Sequence, residues 1–131
     1  MTEALSAVLY VEDEPLVALA VVMELEEAGF EVAQAATGKE ALEAIERNRG
    51  KYLALVTDVR LPEVDGWSIA RRARELNPKL PVIYASGDSG LDWSQEGVPA
   101  SVMFKKPFAN EVLVETLRRL IASTTKSANA Y

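Results

Sequence analysis

Short apolar runs alternate along this chain with longer amphipathic segments, and this alternation restricts the fold more than any other feature. Most of the runs are apolar throughout, which is typical of strands buried on both faces of a sheet. The segments between them carry apolar residues at helical spacing. Together they predict an α/β fold with a parallel sheet covered by helices on both faces. The predicted strands are 7–11, 31–35, 53–57, 81–85 and 101–104, and the predicted helices are 15–28, 37–48, 65–76, 89–96 and 110–123.

Residues at the predicted helix ends agree with these assignments. Pro15 stands in the first turn of the first helix, and Gly29 follows its last turn. Proline is favoured at the start of a helix and glycine just after its end. Thr37 and Glu40 have the spacing of a capping box, in which each side chain binds backbone N–H groups at the helix start.

Composition points to one domain and excludes several classes of function. The chain has 131 residues, of which 49% are hydrophobic, enough for a single core. We expect one domain over residues 1–123, a short flexible tail at 124–131 and no output domain. The net charge is −6 and no segment is rich in Lys or Arg, so we expect no nucleic-acid binding.

Two residue types do not occur in the chain. Without cysteine there can be no disulfide and no thiol catalysis. Without histidine there can be no Ser-His-Asp triad and no His-ligated zinc. The N-terminus has no signal-peptide pattern, and the longest apolar stretch, 15–23, is too short to span a bilayer. We therefore expect a cytoplasmic protein that does not enter a membrane.

Charged and polar residues follow four of the five predicted strands. Glu12, Asp13 and Glu14 come after the first strand. Asp58 follows the third strand, Ser86 the fourth and Lys106 the fifth. The carboxyl ends of parallel strands meet at one edge of the sheet, where ligands bind in such folds. We expect these side chains to lie close together there.

Carboxylates gathered at one edge repel each other unless a cation compensates them. Oxygen ligands suit a hard divalent ion, of which Mg²⁺ is the expected one. A carboxylate in such a site can act as a nucleophile toward phosphorus. Phosphoryl transfer then needs mainly positioning and neutralisation of the phosphoryl oxygens, which a lysine and a hydroxyl can provide.

The chain resembles the receiver domain of bacterial two-component response regulators. Four segments carry the resemblance together with the α/β pattern, in the family's order and spacing: VLYVEDEP, LVTDVRLPEVDGW, VIYASG and KKPF. The resemblance spans roughly residues 5–123. It implies a doubly wound, five-stranded parallel sheet in the order 2-1-3-4-5, with helices on both faces, as in CheY-like proteins.

The resemblance also implies roles for individual residues. Asp58 would be the phospho-acceptor. Asp13 and Asp58 would bind Mg²⁺ or Mn²⁺ directly, with the backbone carbonyl of Arg60 as a further ligand and Glu12 acting through water. Lys106 would bind a phosphoryl oxygen.

Ser86 would bind another phosphoryl oxygen, and the bond between Lys106 and Pro107 would be cis. One departure from the family concerns the fifth strand. Met103 occupies the switch position, where the family usually has Tyr or Phe, and Phe104 follows it. The choice between these two for any switch role stays open.

Arg60 and Asp88 occupy positions that, in the family, flank the path of the hydrolytic water. Their opposite charges predict a pair that obstructs this water and slows self-dephosphorylation. The alternative is two independent surface charges.

Each candidate also has an ordinary structural interpretation. Asp58 could cap a turn. Glu14 is best interpreted as an acidic residue that interacts favourably with the positive end of the helix dipole. Ser86 could be a turn hydroxyl, and Lys106 a surface lysine like Lys105. The combination of strand ends favours the functional roles for all but Glu14.

Other residues receive structural interpretations. Trp67 and Trp93 are expected to serve packing or a partner surface, and Trp93 is a candidate anchor for a partner. Arg71, Arg72 and Arg74 are most simply a solvated helix face.

These features predict a single-domain response regulator. It would take a phosphoryl group from a histidine kinase or a histidine phosphotransfer protein and signal to a downstream protein target or pass the group on. It would catalyse only its own phosphorylation and dephosphorylation, as a monomer or a weak phosphorylation-dependent dimer. The alternatives are an Asp-nucleophile phosphatase, disfavoured because its nucleophile would follow the first strand, and an adaptor that is not phosphorylated.

Overall fold

The structure, a computed structural model, describes residues 7–88 and 90–129. Strands and helices alternate throughout this part of the chain. The strands are β1 (Ala7–Val11), β2 (Glu31–Ala35), β3 (Ala54–Asp58), β4 (Val82–Ser86) and β5 (Val102–Lys105). The helices are α1 (Pro15–Glu27), α2 (Gly38–Asn48), α3 (Gly66–Leu76), α4 (Gly90–Glu96) and α5 (Asn110–Asn129).

The five strands form one parallel sheet in the order β2-β1-β3-β4-β5. This confirms the predicted fold. β1 and β2 have their predicted bounds, whereas β3, β4 and β5 each begin and end one residue later than predicted. The shift makes Asp58 and Ser86 the last residues of their strands, so both are positioned by the sheet rather than by the loops that follow.

Alternate residues of each strand contribute to two hydrophobic cores. One core lies between the sheet and α2, α3 and the α4 segment, and includes Leu9, Leu55 and Ile69. The other lies under α1 and α5, and includes Val56 and Leu113. β1, β3 and β4 are buried on both faces, which explains why these central strands read as mainly apolar runs.

The predicted capping box of α2 is present with one difference, and α3 is capped as well. Thr37 accepts a hydrogen bond from the backbone N–H of Glu40 at 3.0 Å. The Glu40 carboxylate reaches back to the N–H of Ala36, at 2.8 Å, rather than to that of Thr37. Asp65 caps α3 by accepting from the N–H of Ser68 at 2.9 Å.

Helix α5 differs from its prediction at its end. It continues to Asn129, beyond the expected helix end at Ser123. The flexibility predicted for residues 124–131 stays a prediction. Residues 124–129 contain neither proline nor glycine, and nothing in the local sequence stops the helix. Residues 130 and 131 lie outside the described part of the chain.

The arginines of α3 are not the simple solvated face that was predicted. Arg72 pairs with Glu46 of α2, and Arg71 donates to Glu96 at the end of α4. Arg74 donates to three backbone carbonyl groups. The guanidinium groups therefore hold neighbouring segments to α3. None of the helices within 7–88 and 90–129 is long and apolar enough to cross a membrane.

Candidate functional site

The carboxyl ends of β1, β3 and β5 bring four predicted site residues together. Asp58 ends β3, Glu12 and Asp13 follow β1 directly, and Lys106 follows β5. The central position of β3, between β1 and β4, places Asp58 in the middle of this edge of the sheet.

Three carboxylates form one group. Glu12, Asp13 and Asp58 each offer an oxygen, and these atoms lie within 4.8 Å of one another. Glu12 and Asp58 are buried, with 4% and 5% of their surface exposed, whereas Asp13 is exposed. The oxygen donors and the open side at Asp13 fit a hard divalent cation entering from solvent.

Lys106 lies against two of these carboxylates. Its Nζ is 2.9 Å from Asp58 Oδ1 and 3.0 Å from Glu12 Oε1. Burial of the ammonium opposes its charge, but the bonds to Asp58 and Glu12 outweigh this and raise the pKa of Lys106. One ammonium thus offsets part of the repulsion between two buried acids.

Glu12 is held by further donors. The Tyr10 hydroxyl donates to Glu12 Oε1 at 3.4 Å, and the N–H of Glu14 donates to Oε2 at 3.2 Å. Burial, and then the charges of Glu12 and Asp58, raise the pKa of Tyr10, so this phenol stays protonated as a donor. These bonds fix the Glu12 carboxylate at the edge of the group.

Asp58 has a strongly altered acidity. Burial, followed by the hydrogen bond and charge of Glu12, raises its pKa to about 7, although Lys106 acts in the opposite direction. The apolar surroundings and the neighbouring acid therefore make its negative charge costly. A bound cation would favour the ionised form that a nucleophile requires.

A close backbone approach explains the Asp-Gly pair before α3. The N–H of Gly66 donates to the carbonyl of Val59 at 2.8 Å. A Cβ at Gly66 would overlap the backbone carbonyl of Asp58, so only glycine fits there. Together with the cap by Asp65, this gives the pair a structural role, because it holds α3 against the residue predicted to be modified.

Ser86 lies at the end of β4 and is buried. Its carbonyl accepts from the N–H of Lys106 at 2.9 Å, which ties the ends of β4 and β5. The N–H of Asp88 lies 3.3 Å from Ser86 Oγ. The Lys106–Pro107 bond is cis, as the resemblance implied. Phosphoryl binding by Ser86 stays a prediction.

Arg60 and Asp88 form the predicted pair. Arg60 Nε lies 2.9 Å from Asp88 Oδ1, and Nη2 lies 3.3 Å from Oδ2. Both side chains are mostly exposed. The pair bridges the segments that follow β3 and β4, at the rim of the site. Its effect on hydrolysis, and metal binding by the Arg60 carbonyl, stay predictions.

Met103 and Phe104 point to opposite cores. Met103 packs with the core under α2, α3 and α4, beside Tyr84 of β4, its partner in the sheet register. Phe104 belongs to the other core, where its ring meets Phe108 edge to face at 5.2 Å. A switch role for either residue stays untested.

Two tyrosine hydroxyls make buried contacts that were not predicted from the sequence. One is that of Tyr10, described above. The other belongs to Tyr84, which accepts from the N–H of Val98 at 3.0 Å. Both tyrosines stand within apolar strand runs, and a buried phenol usually has a hydrogen-bond partner, so each could have been marked as a polar contact.

Residues 8–118 match the family described as response regulator receiver domain. A receiver protein from Sinorhizobium medicae has a crystal structure with a TM-score of 0.88 and 34% identity, covering 95% of this chain and 99% of that one. The receiver domain of the Pseudomonas aeruginosa sensor histidine kinase PA1611, with a magnesium ion coordinated in its active-site cleft, gives a TM-score of 0.77 and 29% identity, covering 89% and 98% of the two chains.

Among curated proteins, the sensor kinase CckA of Brucella abortus is 35% identical over 119 residues, which are 88% of this chain and 12% of that protein. The chain spans from about a tenth to about half of the length of the first curated relatives that it matches.

Proposed function

Because this chain belongs to the response regulator receiver domain family, we propose that Asp58 accepts a phosphoryl group from a histidine kinase or a histidine phosphotransfer protein. One observation carries the proposal. The buried Asp58 carboxylate lies within 4.8 Å of those of Glu12 and Asp13, and Lys106 contacts it at 2.9 Å. A buried nucleophile surrounded by groups that can control its charge fits phosphoryl transfer.

The proposed step forms one bond and breaks another. A carboxylate oxygen of Asp58 attacks the phosphorus of a phosphohistidine. The new O–P bond gives an aspartyl phosphate, while the P–N bond breaks and the imidazole nitrogen leaves with its electron pair and takes up a proton. The reaction uses the ionised form of Asp58, which is disfavoured in the metal-free site because its pKa lies near 7.

A divalent ion, Mg²⁺ or Mn²⁺, is the proposed cofactor. Receiver domains bind Mg²⁺ at an acidic pocket, and the acidic group here provides one. Asp13, Asp58 and the Arg60 carbonyl would hold the ion, with Glu12 acting through water. When bound, the ion would neutralise charge on the carboxylates and on the phosphoryl oxygens.

Lys106 and Ser86 are the proposed contacts of the phosphoryl group. The Lys106 ammonium already lies beside Asp58, so it is positioned to pair with an oxygen added to that carboxylate. Ser86 ends the neighbouring strand and is tied to Lys106 through the backbone. Its hydroxyl would donate to a second phosphoryl oxygen.

The histidine kinase or phosphotransfer protein that donates the phosphoryl group has to cover the edge of the sheet where Asp58 lies. The first turns of α1 begin beside this edge and expose Leu16, Leu19 and Met23, which share a helix face at spacings of three and four residues. Leu16 is 82% exposed. We propose that this α1 face contacts the donor, because an apolar surface next to the site suits a helical partner.

We propose that the chain acts as a free-standing receiver, with output by phosphorylation-dependent protein contact or by onward transfer. The match to the Sinorhizobium medicae receiver protein, which extends over 99% of that chain, supports this proposal. A monomer, or a weak dimer formed on phosphorylation, fits such a role.

Direct phosphorylation tests the function. Acetyl phosphate or a kinase should add one phosphoryl group in the presence of Mg²⁺, seen by intact mass. Asp58→Asn should abolish labelling, and so should excess EDTA. Asp92→Asn, at an exposed position on α4, is the matched control and should label as wild type does. Full labelling of Asp58→Asn would overturn the assignment.

A further inference from the structure

Tyr84 connects the centre of the sheet to the segment around α4. It is completely buried on β4, and its ring contacts that of Trp67 edge to face at 4.6 Å. Its hydroxyl accepts a hydrogen bond from the N–H of Val98 at 3.0 Å. Val98 lies between α4 and β5, so the phenol links the sheet interior to this connection.

Ser101 makes a second contact with Val98. Ser101 Oγ donates to the carbonyl of Val98 at 2.6 Å and accepts from the indole N–H of Trp93 at 2.9 Å. Trp93 packs on the core under α2, α3 and α4. A Cβ at Gly97 would overlap its ring. We call these four residues, Tyr84, Trp93, Val98 and Ser101, the Val98 latch.

The latch lies next to the proposed phosphoryl site. Tyr84 and Ser86 are two residues apart on β4, so their side chains share one face of the sheet. On β5 the partner of Tyr84 is Met103, which has no N–H or O–H in its side chain. Between these two paired residues, only the β4 phenol can make a strong side-chain hydrogen bond to the connection before β5.

We propose that the Val98 latch is closed in the unphosphorylated protein and opens when Asp58 is phosphorylated, which frees α4 and Trp93 to move. The proposal rests on the phosphoryl-accepting function proposed above. It assigns the coupling to Tyr84 of β4 rather than to a residue of β5.

A small movement is enough to open the latch. A bond from Ser86 to a phosphoryl oxygen would draw the end of β4 toward Asp58. Tyr84 moves with the strand, and a hydrogen bond weakens steeply as its length and angle depart from ideal. Coupling is reciprocal, so a variant that weakens the closed latch must favour the phosphorylated state.

The test compares two tyrosines that each lose only a hydroxyl. Tyr84→Phe leaves the buried N–H of Val98 without its partner in the closed state. Tyr52→Phe is the matched control, because Tyr52 is also buried and hydrogen-bonded but lies far from the latch, with Asn48 and Ala44. Beryllofluoride with Mg²⁺ serves as the phosphoryl mimic.

We expect Tyr84→Phe to bind beryllofluoride roughly two- to tenfold more tightly than wild type, and Tyr52→Phe to bind as wild type does. In wild type, beryllofluoride should speed amide hydrogen exchange over residues 93–101. In Tyr84→Phe this segment should exchange fast before the mimic is added and change little afterwards.

Ser101→Ala removes the hydrogen bond from Ser101 to the carbonyl of Val98. This variant tests the latch if Tyr84→Phe does not fold. It should shift affinity and exchange in the same direction. Wild-type affinity and a wild-type exchange response in the folded latch variants would overturn the latch while leaving the phosphoryl function intact. If folded wild type does not bind beryllofluoride with Mg²⁺, the proposed function fails, and the latch proposal fails with it.

Discussion

At the scale of single residues, the cost of ionising Asp58 has a consequence for stability. The unfolded chain has an ordinary aspartate pKa of 3.8, while the folded, metal-free protein has one of about 7. Between these values the folded state binds more protons, so the free energy of unfolding falls as pH rises. Above pH 7 the full cost of the charge is present.

Asp58→Asn removes this dependence. In EDTA at pH 8 we expect the variant to be more stable than wild type by on the order of 3–4 kcal/mol, and at pH 4 we expect most of this difference to be lost. Urea unfolding at both pH values measures it. A difference that stays constant between pH 4 and 8 would contradict a raised pKa for Asp58.

The pair of Arg60 and Asp88 gives a prediction about lifetime. It lies at the rim of the site, where it can obstruct a water approaching the phosphorylated Asp58. Arg60→Ala should therefore hydrolyse its phosphoryl group several times faster than wild type. The decay of labelled protein after removal of the donor measures this rate.

Arg47→Ala is the control, since Arg47 is an exposed arginine on α2. It should decay at the wild-type rate. If Arg60→Ala also decays at that rate, the pair has no effect on hydrolysis, and the two residues act as ordinary surface charges, the alternative that the sequence left open.

At the scale of elements, a change on the exposed face of α1 should affect phosphorylation of Asp58 by a protein donor but not by acetyl phosphate. Leu16→Glu places a charge in the proposed donor contact without touching the carboxylates. We expect much slower transfer from a histidine phosphotransfer protein but unchanged labelling by acetyl phosphate, which needs no docking surface. Val112→Glu is a control for an exposed apolar residue on α5. Equal loss with both donors would mean that the variant damages the site itself.

Elements were predictable from the sequence where the signal is local. Short, mainly apolar runs located all five strands, and the capping box at Thr37 located the start of α2. The end of α5 was missed because 124–129 lacks both a stop signal and an apolar stripe. The α3 arginines were misread because their partners, such as the carbonyl of Ala100, come close only in the folded chain.

The candidate site was predictable where the topology of the sheet decides which residues meet. Strand ends identified Asp58, Glu12, Asp13 and Lys106, because parallel strands bring their carboxyl ends together whatever the details of packing. Sequence spacing does not determine side-chain positions. It therefore could not predict the contact of Lys106 with Glu12 or the burial that raises the pKa of Asp58.

At the scale of the whole molecule, the fold concentrates unfavourable charge at one edge of an otherwise apolar sheet. Glu12 and Asp58 are buried there with Lys106 as a shared partner, and Asp13 adds a further negative charge nearby. Two acids facing one ammonium leave a net negative site. A cation that binds the folded state alone must therefore stabilise the entire domain.

Thermal unfolding with and without Mg²⁺ tests this linkage. At about 100 times the Kd, the ion should raise the Tm of wild type by roughly 5–10 °C. Asp13→Asn removes the exposed carboxylate that would bind the ion directly, so its Tm should rise much less at the same concentration, while its metal-free Tm should be slightly higher than that of wild type because repulsion is reduced. Asp92→Asn, an exposed change on α4, should respond as wild type does. An equal Mg²⁺ response in Asp13→Asn and wild type would show that Asp13 is not a ligand, and the ion would then have to be held by Asp58, the Arg60 carbonyl and Glu12 without it.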